Sequence, residues 1–316
     1  MRIAFVGGTR FIGHVAAERA IVCGHEATVI HRGVHACEVK GAQEVIADRG
    51  DPEALARALE VARPEVVVDT WAMTRRDAET CGAVVARLDI PAVVLSSMDV
   101  YAQFGRLNGL PAPDPESTVT ESSPLTIPYP FRGLGAHDGG HDYDKKDVEQ
   151  AYASALDRRQ GVTFLRLPAV YGRRDRKRRF STMVDALDAS KGASCTLRCK
   201  NSASLRMTHV HVDDAAHAIV IACEAPRAAR SIYNVGEETT PPMRERVERI
   251  AAAMNVELRW DECPELPDEL WELGPLANDF VASSAKIRAA LAFREITTED
   301  ERVRDLVAWL RFSRVS

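Results

Sequence analysis

The amino-acid sequence predicts an α/β fold in which a doubly wound parallel sheet is joined to a smaller, mostly helical C-terminal domain. Short β-branched runs alternate with segments of helical periodicity through the first half of the chain. The runs "EVVVD" and "AVVL" are continuously apolar, which is typical of parallel strands covered by helices on both faces. A glycine-rich turn, "GGTRFIG", joins the first strand to the first helix.

The predicted elements follow one another in a regular βα order. "MRIAFV" predicts a strand, and "FIGHVAAERAIVCG" predicts a helix that ends at Gly24. The next predicted elements are two strands, a helix, a strand, a helix and a strand, in the segments "EATVIHRG", "AQEVIAD", "DPEALARALEVA", "EVVVDT", "RRDAETCGAVVARL" and "PAVVLSS". A segment rich in Gly, Pro, His and Asp, residues 104–142, leads to the helix "YDKKDVEQAYASALDRR" and the strand "GVTFLRL".

The glycine-rich turn has the position of a phosphate-binding loop in a Rossmann-type βαβ unit. Gly7 permits the tight turn, Gly13 permits close packing of helix on strand, and Arg10 occupies the central place where the backbone usually approaches phosphate. Such a turn directs backbone N–H groups and the positive end of the helix toward a pyrophosphate. The predicted dinucleotide-binding residues of the turn are Gly7, Gly8, Thr9, Arg10, Phe11, Ile12 and Gly13.

The identity of the dinucleotide depends on the end of the second predicted strand. NAD-binding units carry a carboxylate there for the ribose 2′-OH, whereas an arginine accommodates a 2′-phosphate. In this chain His31 and Arg32 take that place. Arg10 lies on the facing turn and is expected to form a second guanidinium contact with the same phosphate, unless it is simply a solvated side chain. NADP is therefore the predicted cofactor, with NAD as the alternative.

The regular order weakens after residue 172, and this change predicts the domain organisation. Residues 173–210 mix a basic run, a helix and short polar strands, whereas "VDDAAHAIVIACE" and "SIYNVG" suggest a return to the sheet. The expected division is a dinucleotide-binding domain at residues 1–172 with 206–236, and a substrate-binding domain at residues 173–205 with 237–316.

Composition excludes several other classes of protein. The net charge of −5 over 316 residues gives no global field for nucleic acid or membrane, so nucleic-acid binding is not expected. The strand at the start leaves no room for a signal peptide, and no apolar run approaches the ~20 residues of a bilayer span, which predicts a cytoplasmic location. Seven cysteines without a C-x-x-C pair are expected to be reduced. No metal site is predicted, although His137, Asp138, His141 and Asp142 have metal-competent side chains.

Several segments occur in the order found in the short-chain dehydrogenase/reductase superfamily, in its extended and atypical branches. Besides "GGTRFIG", they are "VVLSSMDVY", "HDYDKKDVE", "RLPAVYG", "THVHVDDAAHA" and "YNVG". The chain resembles this superfamily over roughly three quarters of its length. The glycine loop is similar to that of an atypical subgroup that contains sugar-nucleotide epimerases and dehydratases and also chloroplast stem-loop RNA-binding proteins.

The resemblance implies an NADP-dependent oxidoreductase, epimerase or dehydratase. It would act by hydride transfer at a carbonyl or secondary alcohol of a sugar nucleotide or similar polar metabolite. The resemblance also implies a homodimer through the helices that begin near Arg75 and Tyr143. It implies further cofactor contacts: Asp48 and Arg49 beside the adenine, Ala72 beside the nicotinamide-side ribose, and Pro168 and Val170 of "RLPAVYG".

The same resemblance implies a serine that contacts the reacting oxygen and a Tyr–Lys pair that handles the proton. Ser97 fits the serine, at the end of a strand and four residues before Tyr101. The pair departs from the family pattern, because the residue four positions after Tyr143 is Asp147. Two arrangements stay open: either Tyr143 pairs with Lys146, or Lys145 is the family lysine and His141 stands in the tyrosine's place. We favour Tyr143 as the acid/base.

The basic run "RRDRKRRF" opens the expected substrate-binding domain and has two interpretations. Arg173 and Arg179, with Phe180, would meet the diphosphate of a nucleotide-linked substrate. Alternatively, the protein is a catalytically impaired dinucleotide binder that binds RNA or a protein partner through residues 173–179. The missing lysine at position 147 favours this alternative, and the acidic overall charge opposes it.

Overall fold

The central feature of the fold is one parallel sheet of seven strands in the order β10-β6-β5-β4-β1-β2-β3. This computed structural model describes residues 1–107, 109–126, 142–156, 160–192, 194–199, 201–225, 231–262 and 278–313. The strands of the sheet are β1 (Arg2–Val6), β2 (Glu26–His31), β3 (Gln43–Ile46), β4 (Val66–Asp69), β5 (Ala92–Ser97), β6 (Val162–Leu167) and β10 (Ile232–Asn234). The reversal of strand order beside β1 is that of a Rossmann-type doubly wound fold, which confirms the predicted fold class.

The helices and the remaining strands complete the chain. Two further two-stranded parallel sheets pair β7 (Ala169–Tyr171) with β9 (His209–His211), and β8 (Cys195–Cys199) with β11 (Leu258–Glu262). The helices are α1 (Phe11–Val22), α2 (Pro52–Ala62), α3 (Arg75–Arg87), α4 (Ala102–Leu107), α5 (Lys145–Ala155), α6 (Ser181–Ala189), α7 (Val212–Glu224), α8 (Met243–Ala253), α9 (Ala285–Leu291) and α10 (Glu299–Phe312). None of the helices in the described ranges is long and apolar enough to cross a membrane.

Helices cover both faces of the seven-stranded sheet, because its central strands are apolar on both sides. On one face α1 and α7 pack over side chains such as Phe5, Val29 and Val93. On the other face α2, α3 and α5 pack over side chains such as Val67 and Val94. Alternate residues of one strand thus enter two different cores, which is the expected result for a buried parallel strand.

A third core lies in the C-terminal lobe, defined here as α6, α8 and α10 with β8 and β11. Its apolar side chains come from distant parts of the sequence, including Met183, Val247 and Leu310. Two residues of the segment predicted to form the substrate-binding domain, Ile287 and Phe293, instead pack into the core between the sheet and helices α1 and α7, called the main core here. The exact domain boundaries stay a prediction.

Helix α5 begins two residues later than the sequence pattern predicted. The carboxylate of Asp144 accepts hydrogen bonds from the backbone N–H groups of Lys146 (2.9 Å) and Asp147 (3.4 Å), which makes Asp144 the N-cap. Tyr143 therefore lies outside the helix, in an isolated bridge with Thr74. Tyr143 and Lys146 therefore do not lie one turn apart on a common helix.

A buried ion pair fastens α5 to the sheet. The guanidinium of Arg166, on β6, donates to both carboxylate oxygens of Glu149 at 2.9 and 2.7 Å. Ser96, on β5, donates to the same carboxylate at 2.5 Å, and Arg166 also donates to the hydroxyl of Tyr101 at 3.0 Å. Arg166 is 2% exposed and Glu149 is 7% exposed, so each charge depends on the other for solvation.

Removing one partner of this pair should be strongly destabilising. In Glu149→Gln the charge of Arg166 stays buried without its counter-ion, and we expect a loss of about 3–5 kcal/mol in the free energy of unfolding. The matched control is Glu53→Gln, which breaks an exposed ion pair with Arg87 and should leave stability unchanged. Urea denaturation followed by circular dichroism measures both. Equal stability of the two variants would contradict the structural role of the buried pair.

Candidate active site and dinucleotide cleft

The glycine turn forms a close-packed cradle between β1 and α1. Gly7 has a φ of +97°, and a Cβ there would lie 2.3 Å from the Oγ1 atom of Thr70. A Cβ on Gly13 would lie 2.7 Å from the Cα atom of Gly8. Side chains are thus excluded where backbone N–H groups of the first turn of α1 have no helical partner. The residues fit the pyrophosphate of a dinucleotide by this geometry.

At the end of β2, the side chain of His31 is fixed by hydrogen bonds, whereas that of Arg32 is exposed. The Nε2 atom of His31 lies 2.7 Å from a carboxylate oxygen of Glu44, and its Nδ1 atom accepts from the N–H of Gly33 at 3.2 Å. Arg32, in contrast, is exposed. Arg10 is also exposed, and its guanidinium contacts both ring nitrogens of His35. The structure therefore directs Arg10 toward the loop that follows β2, as a cationic clamp requires.

Arg49 and Asp48, both expected near an adenine, have very different surroundings. The guanidinium of Arg49 donates to the two carboxylate oxygens of Asp69 at 2.7 and 2.6 Å. The hydroxyl of Tyr152 donates to the same carboxylate at 2.5 Å. Burial raises the pKa of Asp69, but the contacts with Arg49 outweigh this effect and hold the pKa below its usual value. The side chain of Arg49 is committed to this pair, whereas Asp48 is exposed.

Ser97 and Tyr143 each form a hydrogen bond with the same residue, Asp99. The Oγ atom of Ser97, at the end of β5, accepts from the backbone N–H of Asp99 at 3.3 Å. The hydroxyl of Tyr143 donates to the Oδ2 atom of Asp99 at 3.0 Å. Both Tyr143 and Asp99 are buried, at 2% and 6% exposed. A phenol, a carboxylate and a serine hydroxyl thus lie together at the carboxyl edge of the sheet, where ligands bind in open α/β folds.

Lys145 brings a buried ammonium group to the same edge. Its Nζ atom donates to the backbone carbonyls of Ala72 (2.6 Å) and Leu95 (3.0 Å), and it lies 6.0 Å from the centre of the Tyr143 ring. Burial lowers the pKa of Lys145 to about 8, although the charges of Asp69 and Asp99 act to raise it. Its proton is therefore exchangeable close to neutral pH.

The two candidate lysines differ in what they contact. Lys146 donates to the backbone carbonyl of Thr126, in the segment after α4, whereas Lys145 reaches the ends of β4 and β5. Of the two, the structure brings only Lys145 to the carboxyl edge of the sheet beside Tyr143. His141, the alternative acid/base, lies outside the described residues.

The residues predicted to meet substrate are held by the protein itself. Arg173 donates to Glu18 (2.7 Å) and to Asp213 (2.9 Å). Arg179 donates to the backbone carbonyl of Val170 and to Asp175. The ring of Phe180 is 2% exposed and packs edge-to-face on Tyr171, 5.6 Å between centres. These contacts leave Phe180 in the core of the C-terminal lobe rather than on an open surface.

The other members of the basic run and of "RLPAVYG" are also partly committed. Arg174 pairs with Glu38 at 3.0 Å, and Arg178 donates to the carbonyl of Leu310 at 3.1 Å. Pro168 is half-buried where β6 ends, and the side chain of Val170 is buried in the main core. Within the described part of the chain, most arginines of the basic run therefore contact the protein's own groups instead of forming a free cationic surface.

Sequence reasoning missed two residues that organise this region. Asp99 is the one acidic residue in the apolar stretch that contains Ser97, and its position there was a usable signal. Asp69 ends β4 in the run "VVVD", and a charge at the end of a fully buried strand indicates a buried partner. The partners Tyr143 and Arg49 are 44 and 20 residues away, so no local pattern identifies them.

The buried ammonium of Lys145 predicts a pH-dependent stability. Its pKa is about 8 in the folded chain against 10.5 for an unperturbed lysine, so above pH 8 the unfolded chain binds more protons. The stability of the native chain relative to Lys145→Met should therefore increase by about 1–2 kcal/mol from pH 8 to 9.5. Urea denaturation at each pH measures this difference. The exposed Lys40, replaced by methionine, is the control, and a pH-independent difference for Lys145→Met would contradict the burial argument.

Comparison with known proteins agrees with this architecture. The sequence model of the NAD dependent epimerase/dehydratase family matches residues 3–236, nearly three quarters of the chain. No curated protein matches the chain by sequence. Three similar solved structures share the fold at low sequence identity. UDP-N-acetylglucosamine 4-epimerase from Bacillus cereus is 15% identical with a TM-score of 0.72, and the match covers 98% of this chain and 99% of that chain. dTDP-glucose 4,6-dehydratase from Bacillus anthracis in complex with NAD is 16% identical with a TM-score of 0.70, and the match covers 100% of this chain and 98% of that chain. UDP-glucose 4-epimerase from Thermus thermophilus in complex with NAD is 20% identical with a TM-score of 0.67, and the match covers 98% of this chain and 99% of that chain. The chain thus belongs to the NAD dependent epimerase/dehydratase family, whose members are enzymes of short-chain dehydrogenase/reductase type.

Proposed function

We propose that the protein catalyses hydride transfer at a carbonyl or secondary alcohol of a sugar nucleotide or similar polar metabolite, with NADP as its preferred dinucleotide. The observation that carries this proposal is the cluster of Ser97, Asp99, Tyr143 and Lys145 at the carboxyl edge of the sheet, around the end of β5, which is separated from β1 and its glycine turn by one strand, β4. Several similar folds are described as acting on, or as complexes with, UDP- or dTDP-linked sugars, which supports the substrate class.

The glycine turn and the end of β4 are suited to hold the dinucleotide. The turn would bind the pyrophosphate through backbone N–H groups, and Ala72 would lie beside the nicotinamide-side ribose. When bound, the nicotinamide supplies the hydride acceptor or donor of the reaction. The absence of a carboxylate at the end of β2, together with the exposed Arg32 and Arg10, favours a 2′-phosphate over a free ribose hydroxyl.

The side chains of the cluster take distinct parts in proton transfer. Ser97 would donate a hydrogen bond to the reacting oxygen of the substrate, and Tyr143 would give or accept the proton. Asp99 holds the phenol through the bond from its hydroxyl. Lys145 places a positive charge 6.0 Å from the centre of the phenol ring, and this charge would favour release of the phenolic proton.

The reaction type follows less directly from the residues. Epimerisation, dehydration and simple reduction share the hydride step, and the cluster serves each of them. The homodimer through the helices at Arg75 and Tyr143 and the cytoplasmic location stay predictions. RNA binding through residues 173–179 is disfavoured, because the contacts of Arg173, Arg174, Arg178 and Arg179 with the protein's own groups reduce the charge available to phosphate.

Loss of the phenol hydroxyl should remove proton transfer while keeping the fold. We expect Tyr143→Phe to lower turnover of an accepted nucleotide sugar by roughly 100-fold or more, the usual effect of a positioned acid/base. The dissociation constant for NADPH should be unchanged, since the ring and its packing remain. His141→Gln is the comparison variant and should be mild. If His141→Gln is the more damaging substitution, the histidine is the acid/base, and if neither variant loses turnover, both assignments are wrong.

The cofactor preference is tested at Arg32. Removal of one charge-assisted contact costs about 1.5–3 kcal/mol, so Arg32→Ala should weaken NADPH binding by at least roughly tenfold. NADH binding should be unaffected, because NADH has no 2′-phosphate. Titration calorimetry with both dinucleotides measures the two effects. Equal affinity of the native protein for NADPH and NADH would contradict the proposed preference.

A further inference from the structure

The basic run lies against the adenosine end of the predicted dinucleotide cleft. Arg173 pairs with Glu18, which is on the helix that follows the glycine turn. Arg174 pairs at 3.0 Å with Glu38, in the loop that follows β2. These two contacts fix the segment after β7 beside the same loop that carries Arg32 and His35.

The conformation of this segment presents Arg176 to solvent. Asp175 is 3% exposed, and its carboxylate accepts from the backbone N–H groups of Lys177 (3.0 Å) and Arg179 (3.1 Å). The N–H of Arg178 donates to the carbonyl of Asp175 at 3.0 Å, which closes a tight turn. Arg176 and Lys177 are the two exposed residues inside this turn, and Arg176 is two residues from the anchored Arg174. Among the described residues, no carboxylate pairs with Arg176 or with Arg32.

His35 lies within electrostatic reach of arginines from three segments. Its imidazole ring contacts the guanidinium of Arg10, in the glycine turn. Reduced hydration, then the charges of Arg10, Arg176 and Arg32 and of His31, lower the pKa of His35. Two carboxylates on these elements, those of Glu38 and Glu44, are paired with Arg174 and His31. In the described ranges of the chain, no ion pair joins Arg10, Arg32 or Arg176 to a carboxylate, so their like charges stay unbalanced.

We propose that Arg176 and His35 complete, with the two arginines already assigned to the cofactor, a four-cation site for the phosphomonoester of a 2′-phosphorylated dinucleotide. The inference rests on the proposed use of NADP. It adds a specificity-determining residue from outside the βαβ unit, because Arg176 belongs to the segment that leads into the C-terminal lobe. A dianionic phosphate relieves the mutual repulsion of these cations, and this relief favours NADPH over NADH.

The histidine makes this preference depend on pH. A phosphate dianion beside His35 favours the imidazolium, so NADPH binding takes up a proton. NADPH affinity is therefore greatest where His35 is protonated, and it falls as pH rises through the pKa of His35 in the complex. The second ionisation of the phosphate, near pH 6, acts in the opposite direction and is nearly complete by about pH 7. NADH binding lacks both effects.

The test is titration calorimetry of the full chain with NADPH and NADH from pH 7 to 9. Arg176→Ala should weaken NADPH binding about tenfold and leave NADH binding unchanged. His35→Gln should flatten the fall of the NADPH-to-NADH affinity ratio with pH. Arg57→Ala, at an exposed arginine of α2, is the matched control and should change nothing.

Different failures have different meanings. If the native protein prefers NADPH but neither variant changes the affinity ratio, the four-cation site is wrong and the proposed function stands. If the native protein binds NADH equally well, the cofactor preference itself is wrong. Adenosine 2′,5′-bisphosphate should lose affinity for Arg176→Ala as NADPH does, whereas UDP should not. A loss confined to UDP would overturn the inference and assign Arg176 to the substrate diphosphate.

Discussion

The candidate site depends on the two hydrogen bonds that the ammonium of Lys145 donates to the carbonyls of Ala72 and Leu95. Leu95 belongs to β5, and Ala72 lies three residues after the end of the neighbouring β4, so one side chain joins the start of α5 to both segments. Tyr143 lies two residues earlier, and this anchor brings its hydroxyl within reach of Asp99. The cost of burying the ammonium is visible in its lowered pKa, and the two carbonyls offset part of that cost.

The same face of α5 continues this polar attachment along the helix. Glu149 and Tyr152 follow Lys145 at spacings of four and seven residues, which place all three side chains on one side of a helix. Glu149 binds Arg166 of β6, and Tyr152 binds Asp69 of β4. Apolar packing alone would permit α5 to slide along the sheet, whereas these directional contacts to three strands fix its register. The position of the candidate cluster is therefore set by buried polar groups of α5 and the sheet.

The sequence was sufficient for the sheet and for the parts of the site that belong to strand ends. Buried parallel strands are short, apolar and β-branched, so "EVVVD" and "AVVL" indicate strands of the sheet, and the family resemblance assigns a role to Ser97, where one of them ends. The start of α5 was misjudged, because the capping residue Asp144 decided it and the tyrosine pattern did not. The contacts of Asp99 and Arg49, and the acidic partners of the basic run, join residues far apart in the chain. Such contacts arise only once the fold exists, and residue spacing carries no signal for them.

The core of the C-terminal lobe has a consequence for how the chain folds. Its members include Met183 before the last part of the main sheet and Val247 and Leu310 after it. Between these segments, α7 and β10 contribute side chains such as Ile219 and Tyr233 to the main core. Forming the core of the lobe therefore brings together chain segments that are separated by α7 and β10, which belong to the main core. The conformational entropy of the chain between them is lost before the contacts of the lobe form. Contacts of such long sequence separation slow folding, so the main sheet is expected to assemble first and the lobe to condense onto it.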